Sequence, residues 1–175
     1  YRTFYQGEWS EIREADKKLS IPIGYLDLPE DCAQPPLVLD FKEADGNLRI
    51  VGNPGSGKAQ TIQSIVLSLA FTHQPDELHF YILDYSADGS LRVLENLPHT
   101  GALIRLPEKE RLQRLVKRFQ EEIDTRSRID WRAEGYPELF LIINNYAELY
   151  SNYPDEAEAA SSFVRAGKGA GIHVV

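Results

Sequence analysis

Leu48-Arg49-Ile50-Val51-Gly52-Asn53-Pro54-Gly55-Ser56-Gly57-Lys58 is followed by Ala59-Gln60-Thr61 and a largely apolar run. The stretch reads as strand, loop and helix. Gly52 and Gly57-Lys58 fit the pattern G-x-x-x-x-G-K, in which glycines let backbone N–H groups turn inward and the lysine reaches the outer phosphates of a nucleotide. Behind the loop, Ile62, Ile65, Val66, Leu69 and Ala70 fall on one helical face, so the helix dipole points at the loop. Gly52, Asn53, Pro54, Gly55, Ser56, Gly57, Lys58, Ala59 and Gln60 are the candidate binding residues, with ATP as the candidate ligand.

The pattern lacks one part. A Ser or Thr normally follows the lysine and supplies a hydroxyl to magnesium, whereas Ala59 has no oxygen to offer. Thr61 is no substitute, because two residues along a helix is a rotation of about 200°. The loop is read as able to hold phosphate but short of its metal ligand.

Composition narrows the class. The 175 residues, 42% hydrophobic and 26% charged, suit one soluble domain with a sizeable core. No apolar run reaches the ~18 residues of a membrane span. A net charge of −8 argues against a surface built to neutralise DNA phosphates. Cys32 stands alone, and His73, His79, His99 and His173 lack metal-ligand spacing, so no metal ligands are assigned. Tyr1 is no initiator, and Ile172-His173-Val174-Val175 stops within a strand pattern. The chain is therefore read as a fragment, with the C-terminal part of its fold missing.

In chain order, Trp9 to Glu14 resembles the start of a short helix, and Ile21-Pro22-Ile23-Gly24-Tyr25-Leu26 is extended because proline excludes helix there. Leu37 to Phe41 reads as a strand. The turn Ala44-Asp45-Gly46-Asn47 leads back into Leu48–Val51, and the two strands are expected to pair as a hairpin. Residues 1–36 are read as a lead-in segment packing on a core of residues 37–175. After the first helix, Leu78 to Leu83 is a strand ending at Asp84, which makes a parallel crossover. Asp84 is a candidate site residue on the ligand edge of the sheet; its other reading is a turn residue ahead of Ser86-Ala87-Asp88-Gly89. From Glu108 to Ile129 the spacing predicts a helix with Leu112, Leu115, Val116, Phe119 and Ile123 as its stripe, and with Lys117/Glu121 and Arg118/Glu122 as surface pairs. Leu139 to Ile143 is a buried strand ending in Asn144-Asn145.

That ending is the second decisive feature. In phosphate-loop ATPases such a strand delivers an aspartate that organises magnesium. Asn144 and Asn145 are amides, which bring no negative charge and cannot act as a base. With Ala59, both protein anchors of the metal are lost. Asn144 and Asn145 are kept as candidate nucleotide-site residues, Mg²⁺ is expected to be held weakly or not at all, and no catalytic residue is assigned.

Ile21-Pro22-Ile23-Gly24 with Asp27, Pro29 and Gln34, then Pro36-Leu37-Val38-Leu39-Asp40, the phosphate loop, Phe80-Tyr81-Ile82-Leu83-Asp84, Leu97-Pro98-His99-Thr100-Gly101 and Ile142-Ile143-Asn144-Asn145-Tyr146 carry a resemblance. Together they resemble the FtsK/SpoIIIE ATPase family, and within it a middle domain of the tandem arrays in the EssC/EccC branch of type VII secretion. The resemblance implies an α/β, P-loop NTPase-like (RecA-like) fold, a mainly parallel sheet flanked by helices with an extended or hairpin segment at its N-terminus. The interval from Arg128 to Glu138 is shorter than it implies.

As partners it implies neighbouring ATPase domains of the same chain, other secretion-machinery proteins and helical secreted substrates, and a ring oligomer in the full-length protein. It places the domain at the cytoplasmic face of the bacterial cell membrane, which it would meet only through the rest of the protein. Degenerate domains of this branch are taken to bind nucleotide without efficient turnover, in a structural or regulatory role, and that is the function expected here. An active ATP-hydrolysing DNA or protein translocase is the rival reading, opposed by Ala59, Asn144 and the acidic balance. A purely structural docking module with an empty pocket is the third, opposed by Lys58 and the intact glycines. Tyr146, Ala147, Leu149, Tyr150 and Tyr153 are candidate partner contacts or ordinary helix-packing residues.

Overall fold

The structure, a computed structural model, describes residues 19–42 and 46–175. The helix start expected at Trp9–Glu14 lies outside them. Ser20–Tyr25 (β1) pairs antiparallel with Pro36–Asp40 (β2), Ser20 opposite Asp40 and Tyr25 opposite Pro36. This corrects the expected hairpin between Leu37–Phe41 and Leu48–Val51. The second stretch instead runs beside the last strand of the main sheet, where Leu48 N donates to Val174 O at 2.9 Å. There Leu48 and Ile50 turn onto the core while Val51 is 78% exposed, a burial that a hairpin at the periphery would not provide.

The main sheet is parallel. Lys58–Thr72 (α1) precedes Leu78–Asp84 (β3), and Thr100–Ile104 (β4) follows. Lys109–Arg126 (α2) leads to Glu138–Asn144 (β5), Tyr146–Asn152 (α3), Pro154–Ala166 (α4) and Ile172–Val174 (β6). Strand order is β4-β3-β5-β6, with β3 and β5 in register from Leu78/Glu138 to Asp84/Asn144. Two strands, β5 and β6, therefore lie between β3 and the phosphate-loop segment.

Alternation along the central strands builds two cores. Phe80 and Ile82 of β3 and Phe140 and Ile142 of β5 face α1, which buries Ile62, Ile65, Val66, Leu69 and Ala70, the stripe read from the sequence. Tyr81, Leu83, Leu139 and Leu141 face the other way, onto Leu112, Leu115, Phe119 and Ile123 of α2 and Ala157, Ala160 and Phe163 of α4. Each fully buried side chain of this size contributes about 1.5–3 kcal/mol. Leu19 and Ile21 add to the α1 side.

The last turn of α2 carries a buried cation. Arg126 is 2% exposed and donates to Pro137 O, Ala170 O and Glu122, each at 2.9 Å, with its guanidinium over the Trp131 and Tyr136 rings. This corrects the expected Arg118/Glu122 pair: Glu122 binds Arg126, and Arg118 lies over the Tyr81 ring. Lys117 and Glu121 do pair, at 3.6 Å.

Candidate functional site

Two groups of candidate residues sit at the C-terminal edge of the sheet. The first is the phosphate loop. Its strand segment is anchored by Asn47, whose Oδ1 accepts from Val174 N at 2.7 Å and whose Nδ2 donates to Val164 O at 3.0 Å. His173, stacked on Phe140, donates from Nδ1 to Gly46 O at 2.8 Å and meets Glu138 through Nε2 at 3.2 Å. Sequence reading took Asn47 for a turn residue and His173 for an ordinary histidine; no local pattern marks a side chain that bonds a strand 127 residues away.

Beyond Val51 the loop is exposed from Gly52 to Ser56. Gly57 precedes the helix with φ 87°, a left-handed conformation that disfavours any side chain. Helix α1 starts at Lys58 with no acidic residue in its first turn, so its free N–H groups and dipole suit an anion. Lys58 Nζ donates to Gly52 O at 2.8 Å and to Asn53 O at 2.9 Å, holding the ammonium across the loop. Gly52 through Gln60 thus form one contiguous group that fits phosphate. For magnesium the loop lacks the usual hydroxyl after its lysine. Ala59 packs its methyl on the core, and Thr61 Oγ1 is spent on Gly57 O at 3.0 Å.

The second group is Asp84, Asn144 and Asn145. Asp84 and Asn144 are register partners at the ends of β3 and β5, and Asn144 Nδ2 donates to Asp84 Oδ1 at 3.0 Å. Asp84 is 1% exposed, yet its charge is well supplied: Ser86 Oγ donates at 2.5 Å, and Ser86 N and Leu91 N each donate at 3.3 Å. Asn144 is also buried, with its amide nitrogen turned to a neighbouring carboxylate. Asn145 has φ 67°, caps α3, and donates to Tyr85 O at 3.4 Å. Strand β6 separates β5 from the phosphate-loop segment, so the two groups flank it. Of the candidate partner contacts, Leu149 is buried and Tyr153 half-buried, whereas Tyr146 and Tyr150 are 40% and 48% exposed.

Among the described residues no group of three or more His, Cys, Asp or Glu could hold a metal ion, and no helix is long and apolar enough to cross a membrane.

Comparison with known proteins matches this architecture. The sequence profile of the FtsK/SpoIIIE family matches residues 11–130. ESX-3 secretion system protein EccC3 of Mycobacterium tuberculosis (strain ATCC 25618 / H37Rv) is 33% identical over 171 residues, which are 88% of this chain and 13% of that protein. Type VII secretion system protein EssC of Staphylococcus aureus (strain NCTC 8325 / PS 47) is 28% identical over 157 residues, 82% of this chain and 10% of that protein. The chain therefore spans only a small part of the relatives it matches. Among solved structures, Thermomonospora curvata EccC (ATPases 2 and 3) in complex with a signal sequence peptide superposes with a TM-score of 0.81 at 28% identity, over 90% of this chain and 32% of that one. EssC (ATPases 2 and 3) from Geobacillus thermodenitrificans gives 0.80 at 27% identity, over 89% and 32%.

Proposed function

Because the chain belongs to the FtsK/SpoIIIE family, we propose that it is a degenerate nucleotide-binding domain of a type VII protein secretion motor, able to hold ATP but with little or no hydrolysis. The observation that carries the reading is the Asn144 amide donating to Asp84 where the family's fold would deliver a metal-binding carboxylate, with Ala59 as its counterpart across the site. Lys58 and the first turn of α1 supply the positive field for phosphate. With Ala59 and Asn144 at the two magnesium-anchoring positions, the charge that would build up on a transferring phosphoryl is left without its organised metal counter-ion. The domain's role is then structural or regulatory: bound nucleotide that is never hydrolysed biases its conformation toward neighbouring ATPase domains, other secretion proteins and helical secreted cargo. In this reading it works at the cytoplasmic face of the bacterial membrane, within a ring-forming full-length protein, and DNA is not its substrate. Tyr146 and Tyr150 are the exposed aromatic residues offered to a partner.

Calorimetric titration of ATP with and without Mg²⁺ tests it. Expected is saturable binding lost in Lys58→Ala, affinity unchanged within about threefold by Mg²⁺, and no turnover above the Lys58→Ala background. Magnesium-dependent turnover abolished by Lys58→Ala would establish the active translocase instead. No binding at all would leave the purely structural docking module.

A further inference from the structure

The exits of neighbouring parallel strands diverge at the C-terminal edge. After β3 the chain turns to the α1 side, where Leu91 and Leu94 of the 3-10 turn Ser90–Asn96 are buried. After β4 and β5 it turns to the opposite side, into α2 and into α3 and α4. Such divergence opens a crevice outside the strand ends, the place where open α/β sheets take ligands. A cavity of about 530 Å³ lies there, within the range of small-molecule sites, and no residue of the phosphate loop lines it.

Its walls carry unequal donors and acceptors. Arg92, Arg105, Asp84, Asp88 and Glu148 are the charged residues that line it. The acids are served from within the fold. Asp84 accepts from Ser86, Leu91 and Asn144, Asp88 accepts from Ser90 N at 3.1 Å, and Glu148 accepts from Asn152 Nδ2 at 2.9 Å. The guanidinium groups of Arg92 and Arg105 have no hydrogen-bond or ion-pair partner among the described residues; Glu108, which accepts from Arg105 N, gives its other oxygen to Arg111. Guanidinium groups donate and never accept, so the two arginines are left able to take an acceptor with negative charge.

We propose that this crevice is a second ligand site, separate from the phosphate loop, which takes a small phosphate-bearing molecule through Arg92 and Arg105. The phosphate is either free or carried on an organic ester. Glu148 opposes it from the α3 wall and limits affinity.

The test is NMR titration of the Lys58→Ala chain, in which the phosphate loop is disabled, with inorganic phosphate and separately with adenosine monophosphate. Expected are saturable shifts of the Ser86–Gly89, Arg105 and Asn145 amides, weakened about tenfold by Arg92→Ala or Arg105→Ala, as for loss of one charge-assisted hydrogen bond. Glu148→Gln is expected to tighten binding about threefold, a gain that misfolding cannot produce. Equal affinity for the two probes identifies free phosphate as sufficient; preference for the ester shows that the cavity also reads the organic part. Shifts that never saturate, or that ignore both arginine changes and Glu148→Gln, would overturn the proposal. So would shifts seen only when Lys58 is intact.

Discussion

The single proton donor between Asp84 and Asn144 decides what position 144 tolerates. An aspartate there would set two buried carboxylates in the place of a 3.0 Å hydrogen bond. Like charges at that separation cannot both ionise without cost, so one carboxyl group of the pair is raised above its ordinary pKa. A raised folded-state pKa gives stability that is present below the unfolded pKa and lost as pH rises through the folded one. Asn144→Asp is therefore expected to cost about 2–3 kcal/mol at pH 7 and less at pH 4, measured by urea denaturation at both. A variant as stable as the parent at pH 7 would show that solvent or rearrangement absorbs the second charge. The same crowding shapes metal repair. Ala59→Thr with Asn144→Asp is expected to raise Mg²⁺-dependent ATP affinity by more than the sum of the single changes, because a cation shared by both groups also separates the carboxylates. Calorimetry on the four proteins checks this.

At the scale of elements, Arg126 pins the end of α2 to the start of β5 and to the turn before β6. Its donors reach Pro137 O, Ala170 O and Glu122, so Arg126→Met strands the Ala170 carbonyl in a buried place and the Pro137 carbonyl and Glu122 carboxylate in half-buried ones. A loss of about 3 kcal/mol is expected, read as a lower urea midpoint with an unchanged slope. The spacing of apolar residues disclosed α1, α2, β3 and β5 because each of these elements buries a regular face, and a regular face leaves a period in the chain. Partnership left no such trace. Leu37–Phe41 alternates equally well for any neighbour, and its pairing with β1 instead of Leu48–Val51 depends on contacts made after the chain has folded. Thr100–Ile104 is five residues with a glycine, too short for a period, and was legible only within the family-like run Leu97–Gly101. The loop glycines, Lys58, Ala59 and Asn144 form a local pattern that can be named from the sequence. Asn47 was not legible there, since it bonds Val174 and Val164 far along the chain, and Arg92 and Arg105 were not, since only the fold brings them to one cavity.

For the whole molecule, acid is an expected weakness. Burial holds His73 below its ordinary pKa despite the Leu69 carbonyl, and burial does the same to His99, which bonds His73 O at 2.8 Å. Depressed folded-state values mean that the unfolded chain takes up protons first, so stability is full above about pH 6.5 and falls as the pH drops below it. The slope reaches up to about 1.4 kcal/mol per pH unit for each histidine. Thermal unfolding at pH 7.5, 6.5 and 5.5 is expected to show the fall, and His73→Asn with His99→Asn to flatten it; an identical profile in the double variant would assign the acid response to other groups. The anchoring at Asn47 has a consequence in time. Strands β3 and β5 each have a bonded strand on both sides, whereas residues 47–51 meet β6 through Leu48 N to Val174 O and Val174 N to Asn47 Oδ1, and α4 through Asn47 Nδ2 to Val164 O. Amide exchange follows the number of bonds that must open. Arg49 to Gly52 are expected to exchange deuterium long before Phe80 or Phe140, and Asn47→Ala to hasten them about tenfold while leaving the centre of the sheet unchanged. The residues that would receive a phosphate thus keep a faster clock than the sheet that carries them.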